Sequence, residues 1–308
     1  MFKYLLCCII SIIATAGYSQ IMNPVKYKDP IFLETVIQKN ISYSTNTKPG
    51  IKKKYHQFDL YEPGLDSSLK RPLIIWLHGG GFILGSKNAK GIELWSETFA
   101  KRGYVCVALN YRLSKKFPIF NFTELKRSCY NAVQDVEEAV QWLKKNHAKF
   151  RIDTNRIILA GNSAGGMIAL QAVYSSHSEL ARSAQLPDAN LASTSHNPAN
   201  IAAVINFWGA LFTIDWLKNA RIPIVSVHGS EDGTVPFDQK DTSLYGSNAI
   251  HKRADALQIP NRLQVYEGYS HELQKHFNPL FAVSAKTRQR WLEAGEFAAD
   301  FLYEELFK

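Results

Sequence analysis

Short apolar stretches rich in β-branched and aromatic residues recur along most of the chain. One of them, Leu-Ile-Ile-Trp-Leu at 73–77, has no polar position on either face. That pattern is typical of a strand covered on both sides of its sheet. The strands predicted in this way cover residues 56–61, 72–77, 104–109, 156–160, 201–207, 223–227 and 262–266.

Helical periodicity occupies the segments between several of these strands. Val133, Val136, Val140 and Leu143 recur at the spacing of one helix face. The predicted helices cover residues 92–101, 125–145, 167–174 and 294–306. Because strands alternate with helices, the pattern predicts an α/β fold with a doubly wound, mostly parallel sheet and helices on both faces.

Two stretches interrupt this alternation. Residues 175–200 are rich in Ser, Ala, Asn and Pro, and residues 213–222 carry Trp216 between two predicted strands. Insertions after strands at the carboxyl edge of such a sheet overhang the ligand crevice, so they are candidates for a small cap or rim. Plain surface loops explain them equally well.

The N-terminus has the pattern of a secretory signal peptide. Lys3 precedes an apolar run at 5–13, and small residues follow at 14–17. The run is shorter than the roughly 20 residues that a bilayer-spanning helix needs, which argues against a membrane anchor. Cleavage after Ala16 or Ser19 is consistent with the pattern. We therefore expect a signal peptide at 1–19, a catalytic domain at 20–308, and export to the periplasm or the medium, without stable membrane insertion after cleavage.

The composition is that of a globular protein: 46% of the 308 residues are hydrophobic and 20% are charged. The net charge of +9 includes one compact basic run at 52–54, and no basic motif of a nucleic-acid-binding module is present. After signal removal two cysteines remain, Cys106 and Cys129. They are either buried thiols or a disulfide, and neither has a metal-ligand spacing.

The central motif is Gly-Asn-Ser-Ala-Gly at 161–165, between a predicted strand and a predicted helix. A Gly-x-Ser-x-Gly sequence in that place forms a tight strand-to-helix turn, where only small residues fit beside the serine. The turn exposes the hydroxyl of Ser163 above the sheet, and the following helix directs its N-terminus toward it. Ser163 is therefore the candidate nucleophile.

A second motif, His-Gly-Gly-Gly-Phe at 78–82, ends another predicted strand. Successive glycines let backbone N–H groups approach a ligand without obstruction by side chains. Acyl transfer needs such donors for the oxyanion of its tetrahedral intermediate. We expect them to be the N–H groups of Gly80, Gly81 and Ala164, with His78 orienting the loop.

A serine nucleophile needs a base, and nine histidines compete for that role. His271 follows the last predicted strand, as the order nucleophile, acid, base of this kind of turn requires. His276 is its neighbouring rival, in a segment that has the pattern of a helix or a surface turn. The remaining histidines precede Ser163 or lie in the insertions or other elements: His56, His78, His147, His177, His196, His228 and His251.

The acid is expected in a loop after an earlier strand, and Asp232 lies in such a loop after residues 223–227. The neighbouring Gly233 permits a sharp turn. Glu231 is the rival and Asp215 a more distant one. Asp238 and its neighbour at 241 have the pattern of helix-start residues.

These motifs together make the chain, from about residue 56 onward, similar to the esterase branch of the α/β hydrolases. The resemblance is to the hormone-sensitive-lipase-like enzymes and to the bacterial feruloyl-esterase-like group. The matching segments are residues 78–82, Asn-Tyr-Arg-Leu at 110–113, Asp-Thr-Asn-Arg at 153–156, residues 161–165, His-Gly-Ser-Glu-Asp at 228–232, and Ser270 with His271. Many relatives carry Asp or Glu where this chain has Asn162.

The resemblance implies a carboxylic ester hydrolase that uses neither a metal nor another cofactor. Export favours acetyl or feruloyl esters of polysaccharide as substrates. Phe82 and Trp208 are candidate substrate-binding residues, although isolated aromatic residues more often pack in a core. Two alternatives stay open: a serine peptidase related to prolyl oligopeptidase, and an inactive hydrolase fold that only binds ligands. The sequence does not indicate an oligomeric state.

Overall fold

The computed structural model describes residues 23–44, 52–187, 200–240, 243–279 and 283–308. The strands are β1 (Thr35–Ser42), β2 (Gln57–Pro63), β3 (Arg71–Leu77), β4 (Val105–Leu109), β5 (Ile152–Asn162), β6 (Ile201–Phe207), β7 (Ile224–Gly229), β8 (Gln239–Lys240), β9 (Leu244–Tyr245) and β10 (Asn261–Tyr266). The helices are α1 (Lys90–Ala100), α2 (Phe122–Lys145), α3 (His147–Phe150), α4 (Ala164–Tyr174), α5 (His177–Ser183), α6 (Ser247–Ala256) and α7 (Ala285–Phe307).

Eight of the strands form one sheet in the order β1-β2-β4-β3-β5-β6-β7-β10. Strands β1, β2 and β4 pair antiparallel, and every pairing from β4 through β3 to β10 is parallel. The predicted doubly wound, mostly parallel sheet is thereby confirmed. Since β4, β3, β5, β6, β7 and β10 run in the same direction, the loops after their carboxyl ends meet at one edge of the sheet.

Helices cover both faces of the sheet, and the side chains of β3 show the division. Leu73, Ile75 and Leu77 contribute to the core on the face covered by α2 and α4. The alternate residues, Ile74 and Trp76, contribute to the core under α1 and α7. All of these side chains are fully buried. This two-sided burial explains why β3 has no polar position.

Strand β1 was not predicted from the sequence. Its residues Gln38 to Asn40 are exposed, as are Val36 and Ile37 at the sheet edge. Because most of this edge strand is exposed and only Ile41 packs against the core, its sequence shows no apolar alternation. Helix α7 also begins well before the predicted residue 294, and Asp238 lies just before β8 rather than at the start of a helix.

The two cysteines are free thiols on opposite faces of the sheet. Cys106 of β4 lies in the core under α1 and α7, whereas Cys129 of α2 lies in the other core. Burial raises the pKa of both thiols. The disulfide alternative is therefore excluded, and both cysteines act as small apolar core residues.

The two predicted insertions, residues 175–200 and 213–222, differ in structure. Residues 188–199 lie outside the described residues, as does the predicted signal peptide at 1–19. The described start of the first insertion forms α5, and the second forms a 3₁₀ turn, Ile214–Asn219, whose Trp216 and Leu217 pack into the core. Within the part of the chain that is described, no helix is both long and apolar enough to cross a lipid bilayer.

Candidate active site

Four loops at the carboxyl edge of the sheet bring the sequence-predicted residues together. Ser163 follows β5 directly, and Gly80 and Gly81 follow β3. Asp232 lies in the loop after β7, and His271 lies in the loop after β10. These residues come from four separate segments of the chain, and the parallel sheet is what makes them neighbours.

The turn that carries Ser163 is strained and closely packed. Ser163 has φ 54° and ψ −120°, a conformation that residues other than glycine rarely adopt. A side chain at Gly165 would place its Cβ 1.9 Å from the carbonyl oxygen of Leu77 in β3. The N–H of Ser163 donates to the carbonyl oxygen of Phe207 at 2.9 Å, which ties the turn to β6. The packing of the turn therefore requires small residues around the serine.

The side chains of Ser163, His271 and Asp232 form a continuous hydrogen-bonded series. Ser163 Oγ lies 2.9 Å from His271 Nε2, and His271 Nδ1 lies 2.6 Å from Asp232 Oδ2. All three residues are buried. The carboxylate can only accept, so His271 Nδ1 carries a hydrogen and Nε2 is free to accept the serine proton. This arrangement can deprotonate a hydroxyl and stabilise the resulting imidazolium.

Hydrogen-bond donors around Asp232 hold its carboxyl group in the ionised form. Asp232 Oδ1 accepts hydrogen bonds from the N–H groups of Thr234 at 2.8 Å and Val235 at 2.9 Å. Burial alone raises the pKa of Asp232, but hydrogen bonds from His228 and His271 outweigh it, and the pKa lies well below its usual range. A permanently charged carboxylate beside His271 is what imidazolium stabilisation needs.

The rival acids and the rival base lie away from this arrangement. Glu231 and His276 are exposed to solvent. Asp215 is exposed and pairs with Arg253 at 3.3 Å. The structure brings none of the three into hydrogen-bond contact with Ser163 or His271 among the described residues.

The glycine loop presents N–H groups next to Ser163. The N–H of Gly79 donates to Asn162 Oδ1 at 3.1 Å, which joins this loop to the serine turn. Gly80 has φ 108°, and a Cβ there would lie 2.3 Å from the carbonyl oxygen of Leu84. Within the described segments, the N–H groups of Gly80, Gly81 and Ala164 have no backbone or side-chain acceptor. They are thus available to a ligand oxygen.

His78 contacts the backbone of this loop and forms no hydrogen bond with Ser163 among the described residues. Its Nδ1 donates to the carbonyl oxygen of Gly79 at 2.7 Å, and its ring stacks on Tyr111 at 4.2 Å. The hydroxyl of Tyr111 in turn donates to the carbonyl oxygen of His78 at 2.7 Å. Burial lowers the pKa of His78 to about 4, so the ring is neutral at physiological pH.

A cavity of about 600 Å³ opens over Ser163 and His271. Its wall is mostly apolar and includes Phe82, Phe120, Phe122, Leu125, Met167 and Phe277. The predicted substrate-binding residue Phe82 lies in this wall. The other, Trp208, does not: it is fully buried and packs against Trp95 in the core under α1 and α7. Side-chain direction at the end of β6 therefore contradicts the prediction for Trp208.

Two residues of the site were not predicted from the sequence. His228 lies in β7, where its Nε2 is 3.3 Å from Asp232 Oδ2. Glu272 lines the cavity beside His271, and its backbone has φ 55° and ψ 24°. Burial raises the pKa of Glu272, against the opposing charge of His271. His228 lies at the end of a predicted strand and resembles an ordinary strand residue, and the left-handed turn at Glu272 leaves no signal in the sequence either.

The described residues include no group of three or more His, Cys, Asp or Glu side chains arranged to hold a metal ion. His228, Asp232, His271 and Glu272 are close to one another, but both nitrogens of His271 are engaged with Asp232 and Ser163. The geometry is that of a hydrogen-bonded series rather than of converging ligands.

Comparison with known proteins places the chain among esterases. Phenmedipham hydrolase of Pseudarthrobacter oxydans is 36% identical over 108 residues, which cover 35% of this chain and 20% of that protein. Esterase LipC of Mycobacterium tuberculosis is 28% identical over 229 residues, which cover 61% of this chain and 51% of that protein. The chain thus spans about a fifth of the first relative's length and about half of the second's.

A solved structure of Thermogutta terrifontis esterase 2, phosphorylated by paraoxon, has a TM-score of 0.59 to this chain. It is 22% identical, and the match covers 89% of this chain and 95% of that one, which shows a shared fold. The model of the BD-FAE family matches residues 58–220, more than half of the chain, and this range includes the glycine loop and Ser163. The chain therefore belongs to the BD-FAE family, and its fold is that of the α/β-hydrolase esterases.

Proposed function

We propose that the protein is an exported serine carboxylic ester hydrolase that acts through an acyl-enzyme on Ser163. The observation that carries this proposal is the hydrogen-bonded series from Ser163 through His271 to Asp232. Three N–H groups of the glycine loop and the α4 start, beside Ser163, have no acceptor among the described residues. A nucleophile, a base, an orienting carboxylate and oxyanion donors are the parts that acyl transfer requires. The esterase relatives and the apolar cavity over Ser163 support the same reaction.

In this mechanism His271 Nε2 takes the proton of Ser163 Oγ as the oxygen attacks the ester carbonyl. The N–H groups of Gly80, Gly81 and Ala164 donate to the resulting oxyanion. His271 then protonates the leaving alkoxide, and the alcohol departs from the acyl-enzyme. A water molecule, deprotonated by His271, hydrolyses the acyl group and restores Ser163. Asp232 holds the His271 tautomer and stabilises its cation throughout.

The proposed substrates are acetyl or feruloyl esters of polysaccharide met outside the cytoplasm. The aromatic side chains of Phe82, Phe120, Phe122 and Phe277 in the cavity wall support an apolar or aromatic acyl group. Export rests on the signal-peptide pattern at 1–19. Sequencing of the mature N-terminus from the secreted fraction tests it, with cleavage after Ala16 or Ser19 expected.

Replacement of Ser163 by alanine tests the reaction. The purified S163A variant is expected to lose hydrolysis of nitrophenyl acetate by a factor of about 10³ or more. Paraoxon, which phosphorylates the Thermogutta esterase, should inactivate the wild-type protein and add one phosphoryl group per chain, on the peptide that contains Ser163. Wild-type turnover in S163A, or labelling at another residue, would refute the assignment.

A substrate panel separates the proposed activity from its alternatives. Nitrophenyl acetate, longer nitrophenyl esters and methyl ferulate report the acyl preference, and prolyl peptide amides report peptidase activity. Efficient cleavage of the amides in preference to the esters would favour the peptidase. A folded protein that hydrolyses none of these compounds and does not react with paraoxon would favour a binding function instead.

A further inference from the structure

A buried polar chain continues from Asp232 into the core, and the mechanism above makes no use of it. His228 of β7 is fully buried, and its Nε2 lies 3.3 Å from Asp232 Oδ2 and 3.2 Å from the carbonyl oxygen of Val235. Its Nδ1 lies 2.8 Å from the hydroxyl of Ser247, the first residue of α6. Asn206 Nδ2 lies 3.2 Å from the same hydroxyl. This series of hydrogen-bonded side chains therefore connects β6 and α6 to the carboxylate of Asp232.

The direction of each hydrogen bond in this chain follows from the groups involved. Asn206 Nδ2 can only donate, so Ser247 Oγ accepts from it and directs its own hydrogen toward His228 Nδ1. Both partners of His228 Nε2, the carboxylate of Asp232 and the carbonyl of Val235, can only accept. His228 Nε2 therefore carries a hydrogen and donates between these two oxygens. Every group in the chain has a compatible partner, and the ring has one preferred orientation.

We propose that His228 is a positioning residue that holds Asp232 in place for His271, with its own ring oriented by Ser247 and Asn206. The other donors to Asp232, the N–H groups of Thr234 and Val235, belong to the same loop as the carboxylate and move with it. His228 belongs to the sheet and bridges Asp232 and Val235, so it fixes the loop to the core.

His228 also contacts Asp232 Oδ2, the oxygen that accepts the hydrogen bond from His271, and offsets part of its negative charge. Asp232 Oδ2 takes the short bond of 2.6 Å from His271 and the longer contact of 3.3 Å from His228. Glu272 is a further ionisable side chain beside His271. The ring of Phe237 lies 5.7 Å from that of His228 and carries no charge. When the His228 donor is removed, Asp232 Oδ2 retains more negative charge to stabilise the imidazolium of His271.

The test compares His228→Phe, which removes the donor, with His228→Gln, whose side-chain amide keeps a donor near the same place. The inference rests on the proposed ester hydrolysis, so the pH profile of kcat/KM for nitrophenyl acetate is the readout. For H228F we expect kcat to fall about 10-fold with KM within about two-fold of wild type. The acid limb of the profile should move up by about half a pH unit or more. H228Q should resemble wild type in both respects.

A third variant, Ser247→Ala, keeps His228 and removes the hydroxyl that orients it. A smaller loss of kcat in the same direction is expected, and this variant carries the test if H228F does not fold. The inference is overturned if H228F, H228Q and S247A share the wild-type kcat and acid limb, or if H228Q loses as much as H228F. An inactive wild-type protein would instead refute the proposed function. A fall in thermal stability without movement of the acid limb would reduce His228 to a structural role.

Discussion

The side-chain oxygen of Asn162 accepts a hydrogen bond from the N–H of Gly79 at 3.1 Å. This single contact joins the turn that carries Ser163 to the loop that carries the proposed oxyanion donors. Its consequence is that the distance between the nucleophile and the donors depends on residue 162, which is not among the residues that line the cavity. In the esterase resemblance Asn162 is only a departure from the acidic residue of many relatives.

Replacement of Asn162 by alanine should therefore lower kcat without preventing folding. The N–H of Gly79 would lose its acceptor, and a net loss of about 1 kcal/mol in positioning corresponds to a roughly five- to ten-fold fall in kcat. Asn162→Asp keeps an acceptor oxygen and should retain more activity than N162A. Steady-state kinetics with nitrophenyl acetate check the order. Equal rates for N162A and wild type would show that the contact does not position the loop.

The turn itself predicts a strong effect of a single methyl group. Gly165→Ala would place Cβ 1.9 Å from the backbone oxygen of Leu77, and neither the helix nor the central strand can move away cheaply. We expect a destabilisation of about 3 kcal/mol or more, measured by urea unfolding, or failure to fold. Gly233→Ala is the matched control, because a Cβ there meets no atom within 4 Å. Similar stabilities of G165A and G233A would contradict this account of the turn.

The sequence predicted the sheet, and the segments that meet at its carboxyl edge, where residue chemistry and burial in the fold agree. Strands buried on both faces, such as β3, leave continuous apolar runs, and the small residues around Ser163 are required by the turn. The loop positions of Asp232 and His271 followed from chain order, and the structure places both side chains in hydrogen-bond contact. Their catalytic roles stay predictions until variants are measured.

What could not be predicted depends on three-dimensional packing. Strand β1 is exposed at the sheet edge, so no core imposes a pattern on it. Trp208 directly follows strand β6 with φ 43°, and its side chain packs in the core instead of lining the cavity. His228 resembled an ordinary strand residue, because its role depends on Ser247 and Asp232 from other segments.

The apolar cavity predicts which variants change acyl-chain preference. Leu125, near the start of α2, lies in the cavity wall, and Leu125→Trp would fill part of the 600 Å³ space. The ratio of kcat/KM for nitrophenyl hexanoate over nitrophenyl acetate should fall about 10-fold, since the longer chain needs the lost volume. Leu65→Trp, at a fully exposed position, is the control and should leave the ratio unchanged. An unaltered ratio in L125W would place the acyl chain elsewhere.

His251 predicts how the fold responds to acid, independently of the active site. Burial lowers its pKa from 6.5 to about 4, partly offset by a hydrogen bond to Asn261. Between these values the unfolded chain binds a proton here that the folded chain does not, so stability falls as pH falls. From pH 7 to 4.5 this site should contribute about 2 kcal/mol of that loss. Urea unfolding at both pH values should therefore show a smaller loss of stability for His251→Gln than for wild type. His276→Gln, at an exposed position, is the control and should match wild type. An equal loss of stability in H251Q would mean that His251 is not buried in its neutral form.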